Sequence, residues 1–348
     1  MSRRTASRRT VTLLVAGIGV VAAALIAALV PVPYVILSPG PTLNTLGKTS
    51  SGPLITIAGH RTYPTSGHLN LVTVSFLGGP GNGFNVFTAV RAWLTPHTAV
   101  VPEQELFPSG QSEQQVVQQD TAQMVNSQQT AQAAALCTLG IHFTTVDKVT
   151  QTEKGLPAAG VLHAGDIIKA VDGTPVSCTR DTGSLIRAHP AGAPVVLTIT
   201  RGGRTRLVRL KTANVQGHAV IGVFVEESFI FPFRVNIKVG DIGGPSAGMM
   251  FALGIVDKLT PANLTGGRFV AGTGEISADG AVSAIGGIQQ KMAGARAAGA
   301  TIFLTPAANC GDTSGAVPAG LRLVKVATLR QAINDLTALK AGRSVPGC

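Results

Sequence analysis

Residues 240–248 read GDIGGPSAG, and residues 271–299 read AGTGEISADGAVSAIGGIQQKMAGARAAG. In the first segment two glycines carry the backbone into a sharp turn. Pro245 suits the first turn of a helix, where its missing N–H sacrifices no hydrogen bond. Ser246 is thereby placed at a helix N-terminus, where N–H groups and the positive end of the helix dipole stabilise an oxyanion. Gly244 and Ala247 are the candidate supporting positions, and the small Ala247 and Gly248 leave room for a substrate backbone. Residues 249–259 continue as an apolar helix that buries the element. Taken alone, such a segment describes an ordinary capped turn equally well.

The second segment reads as strand, Asp279-Gly280 turn, strand, then a Gly286-Gly287-Ile288 entry into a helix bearing Lys291. That helix is lined with Ala and Gly around Met292, and no carboxylate lies within four positions of Lys291. Desolvation there would lower a lysine from ~10.4 toward ~7–8, the range a general base needs. The plainer reading is a solvated helix lysine.

Together the two segments resemble the proteolytic domain of the Lon family. The matching runs are Pro245-Ser246-Ala247-Gly248, Thr273-Gly274-Glu275-Ile276 and Gly286-Gly287-Ile288-Gln289-Gln290-Lys291, with the lysine 45 residues after the serine. The resemblance implies Ser246 as nucleophile, Lys291 as the base that takes its proton, and Thr273 as a group that orients the lysine. It implies no cofactor. One departure concerns the acidic residue that the family usually carries three positions before the serine. Here that position is Gly243, and Asp241 lies two further back.

Residues 155–176, GLPAAGVLHAGDIIKAVDGTPV, resemble bacterial PDZ domains over the span 137–212. The physical reasons are legible. Gly165-Asp166 supplies a turn, Ile167, Ile168 and Val171 point to a core, and Asp172-Gly173 makes a tight turn. A helix near 179–189 and strands at 195–200 and 205–211 complete the order. In such domains a peptide adds as an extra strand while backbone N–H groups hold its C-terminal carboxylate. By this resemblance the donors come from Leu139, Gly140 and Ile141. The alternative is a PDZ core whose groove is blocked or serves only inter-domain packing.

Around these two modules the chain reads as follows. Residues 34–53, rich in Pro, Gly, Ser and Thr, read as a stalk. Gly40 to Gly47-Lys48-Thr49 lacks the spacing of a phosphate-cradling loop. Strands are expected at 54–60 and 68–76. Ser112 and Gln115 have capping-box spacing before a helix that runs to Leu136, packed through Val116, Met124, Val125 and Leu136. Residues 67–75 and 124–134 resemble the opening strand and helix of a Lon-type domain, so the PDZ module is expected to be inserted within the catalytic domain, joining near 137 and 212. Further strands at 301–305 and 321–326 and a helix from Thr328 to about Leu339 close it.

The first ten residues carry Arg3, Arg4, Arg8 and Arg9, and residues 11–30, VTLLVAGIGVVAAALIAALV, carry no charge. Twenty residues at ~1.5 Å each span a ~30 Å hydrocarbon layer. Pro31 and Pro33 then stop the helix. Arginines ahead of the span and none just after it place the N-terminus in the cytoplasm. A cleaved signal peptide is the alternative, although its apolar region is usually shorter. The four cysteines suit an oxidising exterior and allow three pairings. Cys137 and Cys178 flank one module, and Cys310 and Cys348 bracket the C-terminal segment, so those two bridges are expected. No spacing fits a zinc site.

The net charge of +11 owes four units to the first ten residues, and aromatics are only 4%, so stacking on nucleic acid is excluded as a function. The expected architecture is α/β (α+β): a basic tail (1–10), a transmembrane helix (11–32), opening elements of the catalytic domain (33–136), a PDZ domain (137–212) and a Lon-type proteolytic domain (213–348). This combination looks like the membrane-bound Lon-like proteases with PDZ domains of Gram-positive bacteria. It implies an ATP-independent Ser–Lys endopeptidase acting on protein or peptide substrates outside the cytoplasm, with a homo-oligomeric ring implied by resemblance alone. The alternative is a proteolytically inactive PDZ adaptor on the outer face of the membrane.

Overall fold

A computed structural model describes residues 8–348 except 51, 108, 109 and 111, so Arg3 and Arg4 of the basic tail lie outside the described residues. Helix α1 (Arg8–Leu29) contains the 19-residue apolar stretch Val11–Leu29, none of it buried by the rest of the protein. It is long and apolar enough to cross a membrane.

Beyond it lies a six-stranded sheet of β1 (Tyr34–Asn44), β3 (His68–Leu77), β4 (Ala99–Pro102), β11 (Phe269–Gly272), β12 (Ile302–Pro306) and β13 (Arg322–Val326), in the order β13-β12-β11-β3-β1-β4. The β3, β11, β12 and β13 strands run parallel, while β1 is antiparallel to both β3 and β4. A short strand β2 (Ile55–Ala58) pairs separately with β10 (Arg234–Ile237). Residues 34–44, expected as stalk, are thus a sheet strand with Val35 and Ile36 buried. Their Pro39-Gly40-Pro41 is absorbed by an irregularity: the register to β3 shifts between Pro39 and Thr42. Gly40 lies so close to Thr73 that a Cβ would overlap it.

One face of the sheet is covered by α3 (Glu113–Leu139), α5 (Gly248–Leu259) and α7 (Leu329–Lys340), which share a core with Leu69, Leu71, Val270 and Leu304. The other face packs on α6 (Ile288–Ala297) through Val72, Ala271, Phe303, Ile288 and Met292. Leu71 and Val72, adjacent on β3, enter opposite cores, as strand alternation requires. Helix α3 begins with the expected capping box, Ser112 and Gln115 bonding reciprocally. Met124 and Leu136 are buried as expected, whereas Val125 is exposed.

Between α3 and β10 the chain leaves this sheet and builds an antiparallel one. Its strands are β5 (Thr144–Thr152), β6 (Ile167–Val171), β7 (Pro194–Arg201), β8 (Arg204–Lys211) and β9 (Val223–Ile230), in the order β8-β7-β6-β5-β9. Helix α4 (Thr182–Arg187), N-capped by Asp181, packs at its side. Val149, Ile168, Val171, Leu197 and Ile199 form its own core, separate from the other two. The edge strand β9 lies beyond residue 212, where the module is expected to end, yet it pairs with β5 from Val223↔Thr152 to Ile230↔Thr144. Both expected disulfides are present, Cys137–Cys178 and Cys310–Cys348. The first ties the last turn of α3 to the antiparallel module.

Candidate active site

The site forms where β11 ends. Gly272 closes that strand, and Thr273-Gly274 turns away beside the start of α5, the usual position for a ligand site in a sheet of parallel strands. The serine turn is clamped to this segment. Gly274 N–H donates to the Ser246 carbonyl at 2.8 Å, and Met249 N–H donates to the Gly274 carbonyl at 3.0 Å. Thr273 Oγ1 also donates to the Ser246 carbonyl, at 2.9 Å. From α3, Ser127 Oγ donates to the Pro245 carbonyl at 3.0 Å. Helix α5 itself begins at Gly248 with Ala247 as its N-cap, so Ser246 and Pro245 stand just ahead of the first turn.

Lys291 arrives from the opposite face of the sheet. Gly287, left-handed at φ 68°, delivers the chain into α6, and the Lys291 N–H bonds to the Gly287 carbonyl at 3.0 Å. A side chain at position 287 would also collide with Val74. Lys291 is 4% exposed, and its Nζ donates to Ser246 Oγ at 2.8 Å and to Thr273 Oγ1 at 3.2 Å. Burial lowers its pKa from the usual lysine range to about 8. No neighbouring cation is invoked; loss of water around the ammonium suffices. The three residues singled out on the two segments therefore meet: a partly exposed serine hydroxyl, a buried amine that bonds to it, and a buried threonine hydroxyl that links the amine to the serine's backbone carbonyl.

Four expected site residues are placed differently. Gly244 N–H already donates to the carbonyl of Asp120 on α3, at 3.0 Å, which commits it to holding the turn. Leu139, Gly140 and Ile141 form the C-terminal cap of α3 and no peptide groove. Gly140 is left-handed, and the Gly140 and Ile141 N–H groups bond to carbonyls of the last helical turn, Cys137 and Leu136. Leu139 and Ile141 pack on the main core.

The cleft of the antiparallel module lies at its other end. It measures about 230 Å³ and is bounded by Ile221, Gly222, Val223 and Phe224 on the strand side and by Thr182, Ile186 and Arg187 of α4. Ile221-Gly222-Val223 repeats the apolar-Gly-apolar pattern of 139–141 and leads directly into β9, which is where a signal for this groove could have been found. Sequence reasoning also missed Asp120 and Ser127. A Cβ on Gly243 would overlap Asp120, so this residue packs on the position from which the acidic group of the motif is missing. Burial raises the Asp120 carboxyl above its ordinary range.

Fold and site together define an α/β domain with a serine–amine pair at the end of a parallel strand, interrupted by an antiparallel module with its own core. Family comparisons match residues 234–338 to the Lon protease (S16) C-terminal proteolytic domain and residues 137–212 to the PDZ domain. The two matches cover separate stretches of the chain, the second lying ahead of the first. Lon protease 2 of Herpetosiphon aurantiacus is 43% identical over 81 residues, covering 23% of this chain and 10% of the relative. Lon protease of Clostridioides difficile is 43% identical over 75 residues, covering 21% and 9%. The chain thus spans about a tenth of the length of these curated relatives. Among solved structures, the PDZ domain of the SdrC-like protein from Listeria monocytogenes is 26% identical, covering 23% of this chain and 85% of that one, with a TM-score of 0.22.

Proposed function

We propose that the chain is a membrane-anchored Ser–Lys endopeptidase that cleaves extracytoplasmic proteins without ATP. The observation that carries this reading is the 2.8 Å contact between a buried lysine amine and Ser246 Oγ. In its neutral form Lys291 takes the hydroxyl proton while Oγ attacks the scissile carbonyl. The oxyanion develops at the N-terminus of α5, where the Ala247 N–H and the helix dipole stabilise it. The ammonium then protonates the leaving amine, and the neutral amine next activates the water that releases the acyl group. Thr273 holds the lysine on line by accepting its second hydrogen bond.

Substrates reach this site as unfolded or loop segments, because no phosphate-cradling motif occurs in the sequence to power unfolding. Arg8 and Arg9 at the start of α1 favour a cytoplasmic N-terminus, and two disulfides suit the oxidising far side. The exposed edge of β9 supports substrate selection by strand addition beside α4. A peptide with a free C-terminus is expected to bind the full chain at least about tenfold tighter than its amide, since carboxylate hydrogen bonds contribute roughly 1.5–3 kcal/mol. Equal titrations would remove the cleft from substrate choice.

The decisive test of the enzyme reading is labelling by a fluorophosphonate alongside cleavage of an unfolded protein. Both are expected in the native chain, and both are lost in Ser246→Ala, with a rate loss of about 10⁴-fold or more. An unlabelled, inert native chain would leave the adaptor reading standing.

A further inference from the structure

An apolar face on a short helix beside the end of α1 is uncovered. On α2 (Val86–Trp93) and the residue after it, Phe87, Val90, Trp93 and Leu94 are 54, 49, 75 and 72% exposed, while Ala92 is buried. Phe87, Val90 and Leu94 follow helical spacing along one side, with Trp93 at its margin. A contiguous exposed apolar patch of this kind marks an interaction site.

The position of α2 says what covers it. Residues Phe84–Asn85 pair antiparallel with Pro31–Val32, directly after α1, with Pro31 opposite Asn85. Asn85 Nδ2 donates to the Ala28 carbonyl in the last turn of α1, at 3.2 Å. The same side chain is the N-cap of α2, its Oδ1 accepting from Thr88 N–H at 3.0 Å. One asparagine therefore joins the end of the apolar helix to the start of α2. With Val11–Leu29 spanning ~30 Å of hydrocarbon, Ala28 lies at the outer boundary of that layer. Helix α2 starts at the same depth. Tryptophan is favoured there, and exposed Arg91 on the same helix reaches toward phosphate headgroups.

We propose that α2 is an in-plane membrane contact. Phe87, Val90, Trp93 and Leu94 enter the headgroup–acyl boundary of the leaflet from which α1 emerges. The contact rests on the reading of α1 as a retained anchor. It continues through β4, which pairs with β1 at the edge of the catalytic sheet, so it sets the orientation of that sheet over the bilayer.

Trp93 is the chain's single tryptophan, so its emission reports this face alone. The test uses the full chain in phosphatidylcholine–phosphatidylglycerol vesicles, with acyl chains brominated either near the headgroup or near the methyl end. Flotation separately reports α1. The expected result is flotation, emission shifted to the blue of the urea-unfolded chain, and about twofold quenching by the shallow bromines with less by the deep ones. Val90→Asp is expected to weaken that quenching while cleavage of a soluble unfolded protein is unchanged. Floating protein with unquenched Trp93 overturns the contact alone. Blue-shifted, unquenched emission that grows with protein density assigns the face to a second copy and also overturns it. Failure to float overturns the anchor and the contact together.

Discussion

Lys291→Met is expected to abolish cleavage and, at pH 7, to leave a more stable protein. The first effect follows from the role of the amine: without it nothing in contact with Ser246 Oγ accepts its proton, and units that act together lose about as much as the whole when one member goes, roughly 10⁴-fold or more. The second follows from the cost of the site. A pKa drawn down to about 8 by burial means the folded chain disfavours the ammonium. The sign is fixed by comparing states. Above the ordinary lysine pKa, both states are neutral and there is no penalty. Between that value and about 8 the unfolded chain holds a proton that the native one has released, so stability falls as pH falls through this window. Below about 8 the penalty is complete, near 3 kcal/mol at ~1.4 kcal/mol per pH unit. Methionine fills similar volume without charge, and losing two hydrogen bonds offsets about 1 kcal/mol each. A net gain of about 1–2 kcal/mol corresponds to a Tm rise of several degrees. Calorimetry at pH 7 checks it; an unchanged or lower Tm would mean the site does not strain the lysine. The same pKa places the rise of kcat/KM with pH near 8 in the native enzyme, because only the neutral amine serves as base.

The serine turn and the buried lysine were legible in the sequence because each is a local pattern. Gly-Gly-Pro-Ser-Ala-Gly dictates a turn entering a helix, and Gly-Gly-Ile-x-x-Lys places a lysine one turn into another. What the sequence withheld came from distance. Asp120 and Ser127 reach the serine turn from a helix more than a hundred residues upstream, and no local pattern marks either of them. Residues 139–141 proved to be a helix cap for a different reason. Two apolar-Gly-apolar triplets exist, and the left-handed Gly140 satisfies the end of α3 as well as a glycine could satisfy a carboxylate loop. Only the pairing of β9 with β5 separates them. Residues 34–44 were misread because Pro and Gly normally break strands, whereas here the irregular register opposite β3 accommodates them.

A fragment of residues 213–348 is expected to show no cooperative unfolding, although it contains Ser246, Thr273 and Lys291. Its strand β11 would lose β3 as parallel partner, and its main core would lose Leu54, Ile55, Leu69, Leu71 and Leu136, all essentially fully buried. At about 1.5–3 kcal/mol per buried side chain, their sum is comparable to the roughly 5–15 kcal/mol that stabilises a typical domain. The reverse deletion is expected to survive. Thr144 and Ile230 are opposite one another at the end of the β5–β9 ladder, so the antiparallel module leaves and re-enters the catalytic domain at nearly one point. Replacing 144–230 by a short Gly/Ser linker, with Cys137→Ala because its partner Cys178 is removed, closes that gap without stretching either end. The shortened chain should unfold in a single transition and retain fluorophosphonate labelling at Ser246. A sigmoidal melt from the fragment 213–348 would mean that the elements before the insertion are not part of the catalytic core, because the packing of α3 on α5 would then be dispensable to the fold that holds the serine; an unfolded linker variant would mean instead that the antiparallel module is needed to hold that fold together.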